Sequence, residues 1–107
     1  MERSQFTARV QARLREALQA VYGDRLARAV LFGSRARGEA HAESDYDVAV
    51  FLHGSEGLWA ESGRLADIAT DILDETGAVV NALAFPVSAL DARSPLMHEL
   101  RREGMGL

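Results

Sequence analysis

The stretch Tyr46-Asp47-Val48-Ala49-Val50-Phe51-Leu52 constrains the fold more than any other. Side chains of a strand alternate between its two faces. Beyond Asp47, one face carries Val48, Val50 and Leu52, and the other carries Ala49 and Phe51. Both faces are apolar, so this strand is expected to be central and buried. The rest of the chain must then supply neighbouring strands and helical cover.

It contains the pieces to do so. Phe6, Val10, Leu14, Ala17, Leu18 and Val21 fall at helical spacing, with Arg9, Arg13, Arg15 and Glu16 on the other side. Ser4 suits the cap of this helix, Tyr22-Gly23-Asp24 stops it, and its apolar side is expected to cover the sheet. Ala27 to Phe32 reads as a first strand ending at Gly33, followed by a helical turn over Ser34 to Arg37 and a loop from Gly38 to Glu43. After the central strand, His53 to Gly57 is a loop. Leu58 to Glu75 is a long helix with Leu58, Leu65, Ile68, Ile72 and Leu73 as its apolar stripe. Thr76-Gly77 ends that helix, and Ala78 to Phe85 is a third strand stopped by Pro86. Ser88 and Asp91 have the spacing of a capping box. Ser94-Pro95 opens a final helix, anchored by Leu96, Met97 and Leu100 and closed at Gly104. Trp59 and Phe85 are assigned to core or interface, and Met97, Leu100 and Met105 to ordinary core or an apolar patch toward a partner. The order predicts an α/β layer: helices packed on a sheet of three to four strands. Whether the sheet is parallel or mixed stays open.

The chain has 107 residues, so one domain over 1–107 is expected. No apolar run approaches the ~18 residues of a membrane helix. The first residues show no signal-peptide core and there is no cysteine, so a cytoplasmic protein without membrane attachment is expected. The net charge of -4 counts against direct nucleic-acid binding. All 12 basic residues are Arg, a side chain suited to bidentate contacts with phosphate.

The chemistry concentrates around Leu31-Phe32-Gly33-Ser34-Arg35-Ala36-Arg37-Gly38 and Ser44-Asp45-Tyr46-Asp47, with ten residues between Ser34 and Asp45. Asp45 and Asp47 lie two apart and project to one side of the central strand. Two ionised carboxylates held together repel, and a divalent cation such as Mg²⁺ relieves this, completing its shell with water and substrate phosphates. Gly33 permits a positive φ and a close approach of backbone to phosphate. Ser34 opens a helical turn whose N–H groups, with its hydroxyl, suit an anion. Taken singly, Gly-Ser is an ordinary turn and Asp-x-Asp an ordinary solvated pair; their combination beside two apolar strands is the signal. Arg35 either reaches a phosphate or is a solvated surface residue. Arg37 braces the loop against Glu39 or Glu43. His41, His53 and His98 have no metal spacing and are read as surface residues.

Leu31 to Ala40, followed by Ser-Asp-Tyr-Asp-Val-Ala-Val, resembles the minimal nucleotidyltransferase (MNT) group of the DNA polymerase β-like superfamily. The resemblance implies a polymerase-β-like fold of α+β type. It also implies ATP as co-substrate, Mg²⁺ held by Asp45 and Asp47, and a triphosphate held by Gly33 and Ser34. Many MNT proteins are antitoxins that bind a helical HEPN ribonuclease toxin, and some silence it by transferring AMP to a toxin side chain. A HEPN-type toxin is therefore the implied partner, and no second domain to recognise another acceptor is expected. In the superfamily a third carboxylate lies on a later strand. Here the matching strand offers only Asn81, which can ligate through its carbonyl but cannot take a proton. Two readings stay open: an enzyme that works with two acids, or an antitoxin that neutralises by binding alone.

Overall fold

The computed structural model describes residues 3–37 and 45–107, leaving aside the side chains of residues 3, 4, 34 and 37. The expected Ser4 cap, the loop Gly38 to Glu43, the bracing by Arg37 and the position of His41 lie outside the described residues. The elements are α1 (Arg3–Tyr22), β1 (Leu26–Phe32), α2 (Ser34–Arg37), β2 (Tyr46–Leu52), α3 (Leu58–Thr76), β3 (Val80–Pro86), α4 (Pro95–Glu103) and β4 (Met105–Gly106). A short 3-10 turn precedes β1 and another follows β3.

The doubly apolar run forms β2, inside a sheet of order β3-β2-β1-β4. β1 runs antiparallel to β2 and to β4, whereas β3 runs parallel to β2, so the sheet is mixed. The alternation along β2 sorts the core into two layers. Val48, Val50 and Leu52 pack with Val10, Leu14 and Leu18 of α1 and Leu65, Ile68 and Ile72 of α3. Ala49 and Phe51 face the other way, against Val30, Met97 and Leu100. The Phe51 ring stacks on Phe85 with centroids 5.5 Å apart. Met97 and Leu100 are thus core, while Met105 is exposed. Ser94 caps α4, its hydroxyl accepting from the Met97 N–H at 3.1 Å. Among the described residues, no helix is long and apolar enough to cross a membrane.

Three expectations about these elements need correcting. The buried stripe of α3 is Glu61, Leu65, Ile68 and Ile72, whereas Leu58 and Leu73 are exposed. Leu73 stands about 100° round the helix from Ile72, and burial begins only one turn after Leu58. Trp59, on the first turn of α3, is 92% exposed, which rules out the core half of its assignment and leaves the interface half standing. Ser88 and Asp91 form no capping box. The turn Val87–Asp91 has Pro86 at its N-cap without a side-chain bond, which leaves Ser88 inside the turn.

Glu61 occupies its apolar position because its charge is fully engaged. Its side chain takes a bond from Arg25, a second from Arg64 at 2.7 Å, and a third from the Glu56 N–H at 3.2 Å. Arg64 also holds Glu56 at 2.5 Å. Burial pushes the Glu61 carboxyl up, but the bonds from Arg64, Arg25 and the Glu56 backbone outweigh it and hold it below its ordinary value. This network fastens the β2–α3 connection to the turn before β1, at the end of β2 remote from Asp45 and Asp47.

Candidate functional site

Asp45 and Asp47 stand at the start of β2, where the strand emerges from its covered middle. Asp47 pairs in register with Phe32 of β1 on one side and Asn81 of β3 on the other. Asp47 shares its face with Ala49 and Phe51, so the carboxylates open on the side of the sheet that α4 covers only farther along. Asp45 is exposed and Asp47 half-buried.

Two neighbours define how the pair is held. Asn81 donates through Nδ2 to Asp45 Oδ2 at 2.9 Å and, more weakly, to Asp47 Oδ1 at 3.4 Å. One amide thereby spans both carboxylates. On the other side is Gly33, where β1 turns into α2 with φ +76°. A Cβ added there would lie 2.7 Å from Asp47 Oδ2. Gly33 is thus needed twice, for the left-handed backbone and for the space that Asp47 fills. Ser34 begins α2 directly after this turn.

Arg35 sits elsewhere. Its guanidinium lies over the Tyr46 ring, 4.2 Å from the centroid, and Nη1 donates to Thr7 Oγ1 at 3.4 Å. The Tyr46 and Thr7 hydroxyls are 3.3 Å apart. Tyr46 is fully buried and Arg35 nearly so. Tyr46 points to the α1/α3 face and Asp47 to the opposite one, so Arg35 is not brought to the carboxylate pair. Arg35 is also not a solvated surface residue. Asp67, Asp71 and Asp74 are exposed on α3, and His53 and His98 are exposed as expected.

The oxygen donors present fit a hard divalent cation: two carboxylates stand on one face, held by the N–H groups of Asn81, and Gly33 brings no Cβ against Asp47 Oδ2. Among the described residues, no group of three acids, histidines or cysteines forms that could hold a metal. Motif spacing located the pair and Gly33. It did not reveal Thr7 and Tyr46, whose roles come from a packing between α1 and β2, distant in sequence.

Comparison with known proteins bears on the family and the fold. The family model described as "Polymerase beta, Nucleotidyltransferase" matches residues 16–105. No curated protein matches this chain at a significant level. Among solved structures, one described as a minimal nucleotidyltransferase shares 27% identity at a TM-score of 0.64, over 100% of this chain and 97% of that one. A toxin–antitoxin crystal structure with AMP-PNP shares 20% identity at a TM-score of 0.66, over 89% of this chain and 69% of that one. The toxin–antitoxin MntA-HepT shares 17% identity at a TM-score of 0.54, over 90% and 69% of the two chains.

Proposed function

We propose, from the premise that the chain belongs to the polymerase β nucleotidyltransferase family, that it is an antitoxin transferring AMP from ATP to a hydroxyl side chain of a HEPN-type ribonuclease toxin. The observation that carries this reading is the packing of Asp47 Oδ2 into the space left by the missing Cβ of Gly33. It ties the Gly-Ser turn and the Asp-x-Asp strand into one site. The likeness in fold to toxin–antitoxin structures, one of them with AMP-PNP, supports the choice of partner and nucleotide.

Asp45 and Asp47 would hold Mg²⁺. When bound, the ion supplies positive charge against the triphosphate and the departing pyrophosphate. Gly33 and Ser34 orient the triphosphate through the turn that opens α2. The acceptor hydroxyl oxygen forms a bond to the α-phosphorus as the bond to pyrophosphate breaks, giving an AMP ester and pyrophosphate. Asn81 flanks the acceptor side and has no basic atom, so the hydroxyl proton leaves to solvent. Catalysis then rests on positioning and electrostatics, which carry most of such transfers. Arg35 acts from the other face of the sheet, bracing Tyr46 and the turn.

The test is incubation of the chain with α-labelled ATP, Mg²⁺ and its HEPN-type partner. Label appears on the partner with wild type and is lost with Asp47→Ala; an unlabelled partner in both cases refutes AMP transfer. Asn81 in place of a third acid favours a second reading, neutralisation by masking alone. Under that reading the Asp45→Ala/Asp47→Ala variant still protects cells from the toxin.

A further inference from the structure

Asn81 is the one side chain from β3 that bonds both carboxylates, through a single nitrogen. Resting on the metal-binding reading above, we propose that Asn81 is a neutral clamp that joins Asp45 to Asp47 and restricts the site to a single divalent cation.

The argument begins with charge. Asp45 and Asp47 together carry two negative charges, which one divalent ion neutralises. A second ion at the same place would find no negative charge left to neutralise and would leave the site net positive. Among the described residues, the side chain placed to add a ligand is on β3, which adjoins β2 in register at Asp47 and bonds both carboxylates. At that register position stands Asn81, whose amide brings at most one neutral oxygen. Among the described residues, no third acid joins the pair. The same amide has a second effect. Like charges held on one strand face repel, and the two N–H groups of Nδ2 each offset part of that repulsion by donating to one carboxylate. Hydrogen bonds to a charged acceptor are stronger than neutral ones, so the pair stays drawn together without a metal. The geometry therefore combines pre-organisation with a limit on cation number, both from one uncharged residue.

The test counts Mn²⁺ bound per chain, without nucleotide, by electron paramagnetic resonance of the free ion. Asn81 is exposed on an edge strand, so its variants fold, as circular dichroism will verify. Wild type is expected to bind one ion, Asp47→Ala none, and Asn81→Asp two. Two ions on wild type, or a single ion on Asn81→Asp, overturns the clamp while leaving the metal site standing. Mn²⁺ retained by Asp47→Ala, or absent from wild type, overturns the metal reading itself. A second measurement tests the clamp directly. Asn81→Ala should lower the melting temperature in metal-free buffer, and saturating Mg²⁺ should close most of that gap, because the ion takes over the neutralisation. A gap that Mg²⁺ leaves unchanged means that Asn81 serves packing alone and refutes the clamp.

Discussion

Substitution of Gly33 by alanine separates two costs that usually arrive together. Gly33 has φ +76°, and so does Gly54 in the β2–α3 connection. A Cβ on Gly54 meets nothing within 4 Å, whereas one on Gly33 meets Asp47 Oδ2 at 2.7 Å. Gly54→Ala therefore reports the left-handed backbone alone, about 1–2 kcal/mol for a residue with a side chain. Gly33→Ala adds a collision with a carboxylate. To regain ordinary contact at 3.4 Å, the oxygen must retreat by about 0.7 Å from 2.7 Å. Turning Asp47 off its rotamer costs about 1 kcal/mol more. The expected losses are then roughly 1–2 kcal/mol for Gly54→Ala and roughly 2–3 kcal/mol for Gly33→Ala. In a domain of this size each kcal/mol lowers the melting temperature by roughly 4–8 °C.

Activity should separate the two variants further. Displacement of a reacting group by about 1 Å can cost on the order of 10²-fold in rate, so Gly33→Ala should lose about 10- to 100-fold in AMP transfer. Gly54→Ala should keep wild-type rates below its melting transition. Adding Asp47→Ala to Gly33→Ala removes the colliding oxygen and should return about 1 kcal/mol of stability relative to the sum of the single changes. Differential scanning calorimetry and label transfer measure both quantities. Equal losses of stability for the two alanines, with no coupling to Asp47, would show that the approach of Gly33 to Asp47 constrains nothing.

The remaining predictions concern buried charge. Glu61→Gln should destabilise by about 2 kcal/mol. This is below the usual figure for breaking a buried pair, because Arg25 and Arg64 keep about a third of their side-chain surface in water. The carboxyl of Glu61 is held below its ordinary value of 4.5 in the folded chain, so its stabilisation is complete above that value and fades as pH falls through the folded one. Wild type should therefore lose stability more steeply than Glu61→Gln in acid, the variant keeping the smaller dependence due to Glu75, which its bond from Arg13 also holds low. Parallel acid unfolding curves would refute the assignment. Arg35→Ala should cost about 1–2 kcal/mol through loss of the cation–π contact with Tyr46, while KM for ATP stays near wild type. A raised KM with unchanged stability would instead put the guanidinium on a phosphate.

Legibility from the sequence followed the range of the interactions. β2 was readable to the residue, because alternation is a property of the strand itself. The start of α4 at Ser94-Pro95 was readable, because a proline at the first helical position is a local signal. Glu61 was not readable: a charge in an apolar stripe is foreseen only when its partners are known, and Arg25 lies 36 residues off. Leu58 failed for the converse reason, and Trp59 kept only its interface alternative, since apolar type alone does not say where a helix leaves the sheet. The site divides in the same way. Spacing singled out Asp45, Asp47 and Gly33, and the family resemblance pointed to Asn81; the structure brings Asn81 to the carboxylate pair. Spacing also put Arg35 beside Ser34, and adjacency in sequence proved a poor guide to adjacency in space. The residue that decides this is Tyr46, the middle of Asp-x-Asp. Its ring points to the face opposite the carboxylates and draws Arg35 there. A motif written as two acids around an arbitrary residue hides that this middle residue anchors the turn from beneath. The carboxylates can stay half open because Tyr46 and Arg35 bury their side of the strand.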